Sequence, residues 1–192
     1  MTLGPIFTPA NQLTLMRMLL IPAFVILLIY GYRGWAVVTF LAAGVTDLFD
    51  GLIARMTGEK TVLGAWLDPM ADKLLLVTMF VMLTLPDIGG PNRLPLWFTV
   101  LVISRDVAIV ATVAVVNLAV GPRTFRPSIY GKIATALYIV TGVAALYFNY
   151  LEQPSLIVQI LIYASLAITF ISAGHYLLQV IRLTTSEPVP PR

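Results

Sequence analysis

The sequence has no cysteine, a single histidine and little charge: 12 Lys and Arg and 9 Asp and Glu in 192 residues. Without cysteine there is neither a disulfide framework nor a thiolate metal site. Only 11% of residues are charged, whereas soluble domains carry about 25%. With 59% hydrophobic residues and a mean hydropathy of +0.92, the chain has too little polar surface to cover a globule in water. A soluble enzyme, a disordered chain and a coiled coil are all excluded. The apolar runs also lack the period-2 alternation of a transmembrane β-barrel. What is left is an all-α integral membrane protein. The net charge of +3 is then a record of membrane orientation rather than a nucleic-acid surface, and no nucleic-acid partner is expected.

A membrane-spanning helix needs about 20 apolar residues. Six such segments are predicted at 13–31, 35–57, 67–86, 95–119, 131–151 and 155–182. Their connections are short and rich in Gly and Pro, as in Gly31-Tyr32-Arg33-Gly34, Pro86–Pro91 and Gly121-Pro122-Arg123. Residues 1–183 are read as one six-helix transmembrane domain and 184–192, with three prolines, as a disordered tail. The stretch Arg17–Tyr30 has no small-x-small cleavage site after it and reads as a retained helix. His175 is expected to make a polar contact between helices. Orientation follows from the basic residues. Arg17, Arg55, Lys60, Lys73, Arg123, Arg126, Lys132, Arg182 and Arg192 fall on one side, and only Arg33 and Arg93 on the other. Both termini are therefore expected in the cytoplasm.

Four acids interrupt apolar segments: Asp47, Asp50, Asp68 and Asp72. Each carboxylate at bilayer depth costs about 2.5–3.5 kcal/mol. Asp47 and Asp50 are three apart and Asp68 and Asp72 four apart, so each pair shares a helix face. The two helices are consecutive and antiparallel, joined through Met56–Gly64, so both pairs sit at the cytoplasmic ends and can face each other. With no nearby base to neutralise them all, divalent cations are the natural partners. Oxygen ligands without Cys or His favour Mg²⁺ or Mn²⁺. Two ions would clamp phosphate oxygens. Hydrogen bonds between protonated acids are the bland alternative. Gly51 and Ala54 permit close approach of a backbone or ligand, Arg55 lies one turn beyond Gly51 and suits a diphosphate, and Gly64 opens the turn before the second pair.

The run Asp47-x-x-Asp50-Gly51-x-x-Ala54-Arg55, eight residues, then Gly64-x-x-x-Asp68-x-x-x-Asp72 resembles the signature of the CDP-alcohol phosphotransferases. Asn11-x-Leu13-Thr14-x-x-Arg17 looks like that family's first-helix motif, with Ala10 where many relatives carry Pro. The resemblance implies transfer of a phosphatidyl group from CDP-diacylglycerol to an alcohol, with release of CMP. It implies two Mg²⁺ or Mn²⁺ ions on Asp47, Asp50, Asp68 and Asp72, and Asp72 as general base for the acceptor hydroxyl. It places Gly51, Ala54, Arg55 and Gly64 at the CDP group. A homodimer in the cytoplasmic membrane of a bacterium, with its site facing the cytoplasm, is also implied.

The acceptor is expected to meet Arg105, Arg123, Arg126 or Lys132. An Arg inside an apolar helix needs an anion or an acid, and for Arg105 the local alternative is Asp106. Arg123 and Arg126 can equally be positive-inside anchors. Asn11–Leu74 resembles phosphatidylglycerophosphate synthases, which use glycerol 3-phosphate, and this acceptor is preferred. Ile103-Ser104-Arg105-Asp106-Val107 and Phe125-Arg126-Pro127-Ser128-x-x-Gly131-Lys132 look more like cardiolipin synthases of the CDP-alcohol type, which use phosphatidylglycerol. A divalent-cation transporter is the alternative of a different class. It explains neither the Gly and Arg offsets nor the lack of acids, apart from Asp106, along a route across the bilayer.

Overall fold

A computed structural model describes the backbone of residues 9–57, 62–120 and 129–185, and the side chains of 12–46, 67, 70–112 and 129–175. The described residues form six α-helices and no strand: α1 Pro9–Ile29, α2 Arg33–Thr57, α3 Val62–Thr84, α4 Leu96–Val120, α5 Ile129–Tyr150 and α6 Leu156–Thr185. Among the described residues, three stretches are long and apolar enough to cross a membrane: Gln12–Ile29, Ile129–Tyr150 and Leu156–His175. Arg33–Thr46 is a shorter apolar helix.

The helix ends depart from the expected spans by about a turn, for local reasons. α1 starts at Pro9 rather than 13, because proline's fixed φ suits a first helical position where no N–H is needed. α3 starts at Val62, so Gly64 is helical and does not open a turn. α6 runs to Thr185, so Thr184 and Thr185 belong to a helix and not to a disordered tail; residues 186–192 lie outside the described ones.

The chain divides into two compact units. In the first, residues 1–94 and 142–154, α1 packs against α2 and α3. The core holds Phe24, Leu28, Phe40, Leu75, Met79, Phe80 and Leu83, with the Phe24 and Phe40 rings 5.7 Å apart. Gly31, at φ +78°, closes α1: its N–H reaches the Leu28 carbonyl and the Tyr32 N–H the Leu27 carbonyl, a Schellman cap. At Gly142 a Cβ would lie 2.0 Å from Met79 Cε, so any larger residue there would have to displace the tip of the Met79 side chain.

The first unit is tied at one end by Asn149. Its Oδ1 accepts from the Asn92 N–H (2.8 Å) and from Asn92 Nδ2 (3.2 Å), and its Nδ2 donates to the Gly89 carbonyl (2.7 Å). Arg33 donates to the Asn149 carbonyl and to Glu152, both at 3.2 Å.

The second unit comprises residues 95–141 and 155–192. Here α4 packs on α6, and a hydroxyl seam joins α5 to α6: Tyr138 with Thr169, and Thr141 with Ser165 at 3.0 Å. Phe98 packs edge-on against Tyr138. Tyr130 of α5 meets the His175 ring of α6 edge-on at 5.1 Å, a ring contact between helices where the sequence suggested a polar one.

In both units polarity runs inside out. Thr14, Arg17, Asn92, Asn149, Thr141, Ser165 and Thr169 are buried, whereas Leu19, Ile26, Val110 and Ile160 are exposed. Water would penalise that surface, whereas hydrocarbon solvates it and drives polar groups inward to pair. Tyr30, Tyr32, Trp35 and Tyr150 are exposed beside the α1–α2 and α5–α6 turns, where amphipathic rings suit a membrane–water interface.

Candidate active site

The polar end of the first unit is built on one face of α1. Thr14, Arg17, Phe24 and Leu28 recur at spacings of three, four and seven, and all are buried. The face is apolar towards the C-terminal end and polar at Thr14 and Arg17. Arg17, with a fully buried side chain, donates from Nη1 to Asp72 Oδ1 of α3 at 2.5 Å. Asp72 itself is 41% exposed. A guanidinium inside an apolar helix demands an acid, and an acid at that depth demands a cation, so each justifies the other.

The sequence points to Asp72 but not to this partner. Arg17 stands out only as a member of the Asn11–Arg17 motif and as a marker of orientation. The available signal was the charge itself, in the apolar stretch from Leu13 to Ile29. An unpaired Arg there would be costly, so it had to predict an acid on a neighbouring helix.

The remaining signature positions are defined by backbone alone. α2 continues through Asp47, Asp50, Gly51, Ala54 and Arg55, and α3 contains Gly64 and Asp68. The side chains of these residues lie outside the described ones. Three of the four expected metal-ligating carboxylates are thus not described, and the described residues hold no group of three or more His, Cys, Asp or Glu. A carboxylate donor set headed by a partly exposed Asp72 fits a hard divalent cation by its chemistry.

In the second unit Arg105 is committed. Nη1 donates to Asp106 Oδ1 at 2.9 Å and Nη2 to the Gly131 carbonyl at 3.2 Å, while Nε is buried without a hydrogen-bond partner among the described residues. The local pair with Asp106 is therefore present, and the contact to Gly131 ties α4 to the first turn of α5. Lys132, the next residue, is exposed. Arg123 and Arg126 lie outside the described residues.

An all-helical chain with an apolar exterior and a buried ion pair on a signature carboxylate is a membrane protein with charged chemistry in its interior. It belongs to the CDP-alcohol phosphatidyltransferase family, whose sequence model matches residues 7–171. It is 38% identical over 130 residues to a Mycobacterium tuberculosis protein named "Probable phosphatidylglycerophosphate synthase", covering 64% of this chain and 57% of that one. It is 33% identical over 178 residues to human "Cardiolipin synthase (CMP-forming)", covering 78% and 58%. To the rat protein of the same name it is 33% identical over 189 residues, covering 88% and 60%. The chain thus spans less than two thirds of the length of these relatives. Membership in a transferase family sets the cation-transport alternative aside.

Proposed function

We propose that the chain transfers the phosphatidyl group of CDP-diacylglycerol to the free hydroxyl of glycerol 3-phosphate, giving phosphatidylglycerophosphate and CMP. The observation that carries this is the signature from Asp47 to Asp72: eight specified residues at fixed offsets, inside the region matched by the family. The acceptor oxygen attacks the phosphorus that bears diacylglycerol. The P–O bond to CMP breaks, and the hydroxyl proton passes to Asp72, the carboxylate oriented by Arg17. Asp47, Asp50 and Asp68, with Asp72, would hold two Mg²⁺ or Mn²⁺ ions. Such ions supply positive charge to the diphosphate, and most of the remaining catalysis is positioning. Gly51, Ala54, Arg55 and Gly64 line the CDP site, and Lys132 and Arg105, with Arg123 and Arg126, belong to the acceptor site.

We read residues 1–183 as one catalytic domain, since the family match runs through both compact units. We likewise read six spans with cytoplasmic termini in a bacterial inner membrane, and a homodimer. The basic-residue asymmetry supports the orientation.

A second reading, phosphatidylglycerol as acceptor and cardiolipin as product, is favoured by one observation. The rat relative named cardiolipin synthase matches 88% of this chain, whereas the phosphatidylglycerophosphate synthase matches 64%. An acceptor screen decides between them. Purified protein with CDP-diacylglycerol and Mg²⁺ should release CMP on addition of glycerol 3-phosphate. CMP release with phosphatidylglycerol alone would replace the first reading by the second.

A further inference from the structure

The ion pair between α1 and α3 assigns a task to a residue outside the signature. We infer that Arg17 is a positioning residue: it holds the Asp72 carboxylate in the one orientation from which it serves the reaction. The inference rests on the phosphatidyl-transfer reading above. Arg17 is fully buried, so it acts through Asp72. The two residues are 55 positions apart, and Arg17 comes from a helix that contains none of the eight signature residues.

Packing alone does not account for it. A buried ion pair replaced at both positions by well-packed apolar residues often loses no stability, so the packing of α1 on α3 does not by itself call for a charged pair here. What an apolar residue cannot do is fix the rotamer of Asp72. The directed Nη1–Oδ1 hydrogen bond does so, and the guanidinium's rigid planar donors suit that role better than a flexible ammonium. Thr14 is also fully buried, one turn before Arg17 on the same face.

The test uses the full chain in detergent with four variants: Arg17→Met, Arg17→Lys, Asp72→Asn and the double variant Arg17→Met with Asp72→Asn. Arg17→Met should lower kcat tenfold or more while KM for CDP-diacylglycerol stays within about twofold, and Arg17→Lys should recover part of the loss. If Arg17 works through Asp72, the double variant turns over no more slowly than Asp72→Asn. Losses that multiply, an unchanged kcat, or parallel loss of CDP binding and turnover would each overturn the assignment. Should Arg17→Met fail to fold, the same cycle is run with Arg17→Lys. A second readout does not depend on turnover. The electron paramagnetic resonance spectrum of bound Mn²⁺ in the Arg17 variant should move towards that of Asp72→Asn, and an unmoved spectrum counts against the role. A wild type that binds Mn²⁺ but transfers to no acceptor would sink the proposed reaction, with the spectra still deciding the role of Arg17. A wild type that binds no Mn²⁺ overturns both.

Discussion

Arg105 of α4 donates across to the backbone carbonyl of Gly131 in α5 at 3.2 Å while its other Nη holds Asp106 at 2.9 Å. Lys132 follows directly and is exposed. The two bases therefore differ in what their loss should do. Arg105→Ala removes the guanidinium from Asp106 and the hydrogen bond that ties α4 to Gly131 of α5. Breaking a buried pair costs about 3–5 kcal/mol, and less here because both partners keep some exposure. The melting temperature should fall by several degrees. Lys132→Ala should leave it unchanged within about 1 °C. If Lys132 holds the acceptor phosphate, its loss raises the acceptor KM about tenfold or more. An unchanged acceptor KM in Lys132→Ala would move the anion site to Arg123 and Arg126.

Turnover should vanish in EDTA and return with Mg²⁺ or Mn²⁺, because four carboxylates within 26 residues repel one another unless divalent charge intervenes. Asp47→Asn, Asp50→Asn and Asp68→Asn should each weaken Mn²⁺ binding, measured by calorimetry, as well as turnover. Full activity in chelator would sink the two-ion proposal.

Asp72→Asn should bind CDP-diacylglycerol and turn it over far more slowly, with a residual rate still measurable, whereas Arg55→Ala should mainly weaken nucleotide binding. The structure adds a consequence that spacing alone does not give. Asn leaves Arg17 buried against a neutral amide, so Asp72→Asn should also melt lower, by about 2–4 °C for each kcal/mol lost. Turnover near the wild-type rate would place the base elsewhere.

What could be read in the sequence divides along physical lines. Helix number and approximate span follow from apolar run length, because hydrocarbon thickness imposes it. Helix ends do not, since Pro9–Gln12 and Val62–Trp66 lie where local capping and propensity decide. Asp72 was legible because its partners in the motif recur at helical intervals along the chain. Its contact with Arg17 was not, because a pairing 55 residues apart depends on how α1 packs against α3. The Asn149 cluster was hidden for another reason. Its partners include the Asn92 N–H and the Gly89 carbonyl, and backbone groups carry no sequence signal.

That cluster should govern stability and not chemistry. Asn149→Leu strips buried partners from the Asn92 N–H and the Gly89 carbonyl, at about 1–3 kcal/mol for each group left unsatisfied. Asp72 lies twelve residues before the C-terminal end of α3, roughly 18 Å along the helix. Asn149→Leu should therefore melt several degrees lower yet keep kcat within about twofold at a permissive temperature. A tenfold fall in kcat without a change in melting would show coupling along α3 that this geometry does not predict.

Orientation can be tested with single reporters, because the chain has no cysteine of its own. Gln153 is exposed beside the Asn149 cluster; its backbone carbonyl accepts from Asn92 Nδ2 at 2.7 Å and its N–H donates to the Phe148 carbonyl at 3.1 Å. Gln153→Cys should therefore leave both backbone hydrogen bonds intact. Arg33, at the same end, is one of the two basic residues expected on that side, against nine expected on the other. Positive charge is retained on the cytoplasmic side, so Gln153 should face outward and Ser186, beyond α6, inward. A membrane-impermeant maleimide should label Gln153→Cys in intact bacterial cells and label Ser186→Cys only after permeabilisation. The proposed reaction asks for the same sense: its nucleotide substrate would be cytoplasmic, and the signature lies at the end of α2 and α3 opposite the Asn149 cluster. Labelling in the reverse pattern would put that end outside the cell, away from the nucleotide pool, and the assigned topology would be wrong.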